Sequence, residues 1–254
     1  MLTPAFNIYV LHNHAKRPNI AAVSNRRAET RRHLRWEAVA LVVVLLAVGL
    51  AVYAFAIQFE AKSILKDVSG LRTGVSTTRD VQAIAARHKH ALRDEHCEPG
   101  KYSVSFQVYN TWLYRLKLEP LAGFWAHVEA EGEAVSSIKI MLSRETNVFP
   151  TFPSAGITEE YSAMPDRVSV STPYSFPSPV GKPYLEVVLT GQATPIQREH
   201  AYAYSLKCLI KPGGGCDLPC DYLPLAWQDW QAELEKEGWV GGFGPYYPNR
   251  SRCR

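Results

Sequence analysis

The sequence predicts an α+β protein on a single N-terminal transmembrane helix, with two helices, an antiparallel sheet and a C-terminal helix following the span. Three observations predict this class. An uncharged stretch of membrane length closes the chain's first fifth, period-two apolar alternation with short connections fills its middle, and helix-period apolar stripes flank that middle on both sides.

The uncharged stretch is "AVALVVVLLAVGLAVYAFAIQF", 22 residues from Ala38 to Phe59, bounded by Glu37 and Glu60. At ~1.5 Å per residue it reaches roughly 33 Å, enough for a hydrocarbon core of about 30 Å. The flanks orient it. "NRRAETRRHLR", Asn25 to Arg35, lies directly before the run, whereas Lys62 and Lys66 beyond it are offset by Glu60 and Asp67. The positive-inside bias places residues 1–37 in the cytoplasm as a disordered tail and residues 60–254 outside. Ala54 to Ala56 spells an A-x-A triplet that a signal peptidase could read. The long basic segment before it and the full membrane length favour an uncleaved signal-anchor of a bacterial inner (plasma) membrane. The partner so implied is the lipid bilayer, met through 38–59.

After the span, "EAKSILKDVSGLR" continues as helix. "STTRDVQAIAARHKHAL" reads as a second, with Thr77 or Ser76 as N-cap, Asp80 completing a capping box, and Val81, Ile84 and Ala85 on the apolar face, with His88 a further candidate for it. Strand patterns come next. "YSVSFQVY" buries Val104, Phe106 and Val108; "WLYRLKL" would put Trp112, Tyr114, Leu116 and Leu118 on one face. "FWAHVEAEGEAVSSIKIML" is a hairpin turning at Glu131-Gly132-Glu133, with Phe124, Ala126 and Val128 facing Ile138, Ile140 and Leu142. A Pro-rich insertion covers about 148–183, interrupted by a short strand "RVSVS". "YLEVVLTG" and "EHAYAYSLKCLI" then read as strands, the second with Tyr202, Tyr204, Leu206, Cys208 and Ile210 in phase. The closing helix "PLAWQDWQAELEKEG" carries Trp227, Trp230 and Leu234 on one stripe, with Gly238 as C-cap.

Charge excludes one class of partner. The net charge is +4, but residues 1–37 alone hold seven basic and two acidic side chains. The rest is near neutral, so the outer domain lacks the basic excess of a nucleic-acid surface and no nucleic acid is expected.

All five cysteines fall beyond the span, where oxidation is the default. Cys97, Cys208, Cys216 and Cys220 are candidates for disulfides, with the pairing open. Cys253, in a loose terminal tail, is the expected free thiol. The C-x7-C and C-x3-C spacings differ from zinc knuckles and thioredoxin-like pairs, so no metal or other cofactor is expected. Gly213-Gly214-Gly215 lacks the spaced pattern of a phosphate loop and reads as a turn. "RHKHALRDEHC", with His88, His90, His96 and Cys97, reads as a charged helix end; a metal or pH-responsive role is the alternative. Glu129, Glu131 and Glu133 read as a solvated face near the hairpin turn. Trp227, Trp230, Trp239, Tyr246 and Tyr247 could stack on sugars, with core packing expected for the helical pair. Asn249-Arg250-Ser251 fits a glycosylation sequon. Neither G-x-S-x-G nor H-E-x-x-H is present, and no catalytic residue is assigned.

The helix–helix–sheet order, with "LRTGVSTTRDV" opening the second helix, resembles the small envelope-assembly lipoproteins of the BamE (SmpA/OmlA) type. In those proteins a G-x-S/T-x-x-D/E-V-like helix start precedes a β-meander. The resemblance covers roughly residues 60–142 and implies an assembly role. It departs in lacking the lipid-bearing cysteine and in the residues beyond 142. The chain is similar also to single-span bacterial membrane proteins at large. The resulting expectation is an extracytoplasmic binding or envelope-assembly module, not an enzyme, that meets another envelope protein. The alternative is an envelope glycan hydrolase whose carboxylates the fold brings together.

Overall fold

The structure is a computed structural model describing residues 20–144, 154–160, 184–189, 193–210, 216 and 219–236. The expectations for residues 1–19, "RVSVS", the glycine triplet, Trp239, Tyr246, Tyr247, the sequon and Cys253 fall outside these, as does the side chain of Leu234. The chain divides into two compact units, Met1–Gly49 and Leu50–Arg254.

Helix α1 (Ile20–Ser69) begins within the segment read as a disordered tail. Ala, Arg, Glu and Leu dominate that basic segment and are good helix formers. The stretch Trp36–Ser69 is long and apolar enough to cross a membrane. Leu41, Leu45 and Leu46 stand exposed, as lipid-facing side chains would. From Ile57 onward one stripe turns inward. Ile57, Ala61, Ile64, Leu65 and Val68 are buried at spacings of three and four residues, the period of one helix face.

Helix α2 (Thr78–Arg87) starts at the expected capping box. Thr77 Oγ1 accepts from the Asp80 amide, and Asp80 accepts from the Thr77 amide at 2.7 Å. Val81, Ile84 and Ala85 are its buried residues, as the periodicity requires.

Among the described residues six strands follow: β1 (Leu92–Glu98), β2 (Lys101–Tyr109), β3 (Ala122–Glu131), β4 (Ala134–Arg144), β5 (Ser154–Glu160) and β6 (Tyr184–Leu189). They lie side by side in sequence order. Gly132, at φ +64°, makes the β3–β4 turn and Gly100, at φ +78°, the β1–β2 turn. Positive φ is open to glycine at no steric cost. Helices α4 (Pro195–Ala201), α5 (Pro219–Tyr222) and α6 (Pro224–Lys236), with a 3₁₀ turn at Leu206–Leu209, follow among the described residues.

One face of the sheet is apolar and packed. Phe106, Phe124, Ile138, Ile140, Leu142 and Ile157 are essentially inaccessible there. They share one core with α1, α2, α4, α5 and α6.

Two ion pairs lie inside this core. Glu159 contacts the guanidinium of Arg198 and accepts from the Tyr202 hydroxyl at 2.9 Å. Arg198 also donates to the carbonyls of Leu71, at 2.9 Å, and Ser69, at 3.3 Å. Carbonyls at a helix end have no intrahelical donor, so an arginine from α4 caps α1. Glu119 pairs with Arg144 at 2.7 Å, both nearly inaccessible. Burial pushes the Glu119 carboxyl up, and Arg144 offsets this only in part.

Five sequence expectations are corrected. "WLYRLKL" is not a strand: Thr111–Arg115 is a short helix, α3, and of its apolar side chains Leu113 points inward. Its period-two pattern marks no buried sheet face. "EHAYAYSLKCLI" is not a strand either. Thr194 caps α4, Gln197 completes a capping box, and Pro195 occupies the first turn, so local capping overrides the alternation. The end of the "RHKHALRDEHC" segment is strand, not helix. Leu92–Glu98 pairs with β2 as a charged edge, and edge strands carry charge without an apolar phase. The Pro-rich insertion contains β5. Finally, the sheet is mixed: β6 runs parallel to β5, which the long connection between Glu160 and Tyr184 permits.

Candidate ligand surface on the open face of the sheet

The strands that bury Phe106, Phe124 and Ile140 must turn their alternate residues the other way. That second face remains partly accessible. The registers assemble its rows. Gln107, Trp125, Met141, Gly156 and Glu186 lie across five strands, and beside them run Ser105, His127, Lys139, Thr158 and Val188.

A hydrogen-bonded relay crosses this face. His127 Nε2 lies 3.0 Å from Glu129 Oε1, and His127 Nδ1 lies 2.7 Å from Ser105 Oγ. A carboxylate only accepts, so Nε2–H donates to it, and in the neutral ring Nδ1 accepts from the serine hydroxyl. The bond from His127 holds the Glu129 carboxyl below the ordinary glutamate range. Burial opposes this, and the charges of His127, Lys101 and Lys139 reinforce it. Trp125 stacks flat on His127, with ring centroids 5.5 Å apart and planes within 4°. Thr158 donates to Glu186 at 2.9 Å. At one end the Tyr109 ring covers Gly123; a Cβ there would meet that ring at 2.5 Å.

The chemistry available is recognition through one stacked aromatic pair, a cation at Lys139, and hydroxyl, imidazole and carboxylate groups already set in orientation. A Ser–His–carboxylate order is also the order of a nucleophilic relay. Ser105, however, sits inside a strand paired on both sides, to Asp94 on β1 and to His127 on β3. Amides committed to such ladders are not free to hold an oxyanion.

The other candidates are dispersed. Trp227 and Trp230 pack edge to face in the core, centroids 5.0 Å apart, and do not present a sugar-stacking platform. Glu131 and Glu133 flank the hairpin turn in solvent, whereas Glu129 belongs to the relay. His88 is buried between two acids of α1, 3.1 Å from Glu60 and 2.9 Å from Asp67. His90 reaches Glu60 at 2.8 Å, and Arg87 contacts Asp67. The histidines therefore fasten α2 to α1, while His96 sits apart on β1, exposed and paired with Glu98. Cys208 and Cys216 form a disulfide with Cα atoms 5.7 Å apart. Cys220 is disulfide-bonded too, and Cys97 is a free, exposed thiol on β1.

The sequence reading placed no functional residue on Ser105, Trp125 or His127. Their signal was the strand alternation itself: each is out of phase with the apolar residues already identified. The cross-strand register that brings Ser105 to His127 had no local signature.

No family model matches the chain, and neither a curated protein nor a solved structure is significantly similar to it.

Proposed function

We propose that this chain is a membrane-anchored binding module of a bacterial envelope, in which α1 holds the domain at the inner membrane and the open sheet face takes the ligand. The observation that carries the reading is the Trp125–His127 stack with its hydrogen bonds to Glu129 and Ser105 on an accessible face. Preorganised polar groups around a stacked aromatic give specificity at little ordering cost. The basic segment before the span supports a cytoplasmic N-terminus and an extracytoplasmic domain. On this reading the BamE-like order of elements makes another envelope protein the partner class.

The test is photocross-linking in native membranes from a reactive residue at Met141, beside Trp125 on β4. The module captures a defined species, and Trp125→Ala with His127→Ala abolishes the capture. The same species captured equally by the double variant sinks the reading. For topology, a phosphatase fused to the C-terminus is active; an inactive fusion reverses the orientation.

The relay supports one rival, a hydrolase with Ser105 as nucleophile. A fluorophosphonate that labels the parent and not Ser105→Ala would establish it.

A further inference from the structure

We propose that the segment Asn110–Pro120 is a membrane-interface wedge, seated in the headgroup boundary of the same bilayer that α1 spans. The inference rests on the membrane reading above and adds a second contact with lipid.

The segment exposes four large side chains within seven residues: Trp112 at 56%, Tyr114 at 44%, Leu116 at 53% and Leu118 at 53%. Contiguous apolar exposure of this kind marks an interaction surface. The segment is held in that shape. Asn110, itself buried, donates to the carbonyls of Pro120 at 2.8 Å and Leu209 at 3.0 Å and accepts from the Ala122 amide at 2.8 Å, closing the neck. Leu118 N–H donates to the Leu113 carbonyl at 3.0 Å across the tip. Lys117 sits at φ +54°, a conformation unfavourable for a residue with a side chain. A segment clamped this way keeps its apolar side chains outward.

Its position names the occupant. The Trp112 amide donates to the Tyr53 hydroxyl at 3.3 Å. Tyr53 belongs to the apolar run and precedes Glu60 by two helical turns, which is ~10 Å along the axis. The layer between hydrocarbon and water is about 5–7 Å deep on each side. With Glu60 at the water side, Tyr53 and α3 fall near the hydrocarbon edge. Tryptophan and tyrosine concentrate at that depth. Phe55 and Phe59, on the same turns of α1, are exposed as well.

Charge agrees. Arg115 lies over the Trp112 ring at 5.5 Å, and Lys117 follows at the tip. The acid of the segment, Glu119, is turned inward against Arg144. The outward charges are therefore cations on long stems, which can reach lipid phosphates while their neighbours enter the apolar layer.

The experiment uses the full chain with Cys97→Ser, reconstituted in phospholipid vesicles. An environment-sensitive dye is attached at Leu116→Cys, and separately at Leu118→Cys should the first variant fail to fold. Leu46→Cys is the control in the span, Arg79→Cys the control in water, and the parent without added cysteine the background. The wedge gives blue-shifted emission, severalfold stronger quenching by headgroup-level nitroxide lipid than Arg79→Cys, and severalfold weaker quenching by iodide. Iodide quenching equal to that of Arg79→Cys, with Leu46→Cys still quenched by acyl-chain nitroxide lipid, overturns the wedge and leaves the anchor standing. A dye shielded from both quenchers means a protein covers the segment and also overturns it. Failure of acyl-chain nitroxide lipid to quench Leu46→Cys removes the anchor reading, and the wedge with it.

Discussion

The two faces of the sheet are carried by the same strands, one residue out of phase, and they solve opposite problems. On the packed face Phe124, Ile140 and Ile157 meet helices, and each acid admitted there is matched by an arginine, Glu159 by Arg198 and Glu119 by Arg144. On the open face Trp125, His127 and Glu129 bond mainly among themselves and stay within reach of solvent. The packed face spends its polar groups on holding the fold; the open face keeps them available. A substitution should therefore move stability on one side and recognition on the other.

Neighbours on β3 break the comparison most sharply. Phe124→Ala is expected to cost about 3–5 kcal/mol in denaturant unfolding, because it empties a filled core site. Trp125→Ala, one residue on, is expected to cost about 1 kcal/mol or less, since it gives up contacts on a half-open face rather than a filled core site, while removing ligand capture. Equal losses would mean the open face is also structural.

Arg198→Met tests the paired acids. It leaves Glu159 buried without its guanidinium and uncaps the end of α1, for an expected loss of about 3–5 kcal/mol. Adding Glu159→Gln should restore part of it. A double variant no better than the single one would show that the pair matters only as packing.

Thr77→Ala removes the capping hydroxyl of α2 outside either face, at an expected cost of about 1 kcal/mol in thermal unfolding.

The smallest effect is electrostatic. Glu129 has a folded carboxyl held below the ordinary glutamate value of 4.5, by its bond from His127 first. A lowered folded value means the pair stabilises above pH 4.5, and the contribution fades as pH falls through the folded value. Glu129→Gln should flatten that acid limb slightly, the site being partly exposed. An acid limb unchanged in this variant would show that the relay adds nothing to stability.

Much of the fold was legible. The capping box at Thr77–Asp80, the hairpin through Gly132 and the inward stripe of α6 are local patterns, and local patterns can be read locally. The misread segments were those in which two local rules competed. At Thr194–Gln197 a cap prevailed over the alternation of Tyr202 and Tyr204. At Leu92–Glu98 an edge strand had no apolar phase to show. The relay was not legible, because Ser105 and His127 are 22 residues apart and meet only through the β2–β3 register.

The sequence alone determined a membrane-length apolar helix, an α+β domain and the inward phase of its central strands, since burial of apolar side chains at periods of 3.6 and 2 requires no knowledge of distant partners. Tertiary structure alone decided which residues share the open face, which arginine answers each buried acid, and that Trp112 comes to Tyr53. Such pairings depend on strand register and helix docking, and these are set by the packing of the whole core rather than by any one segment.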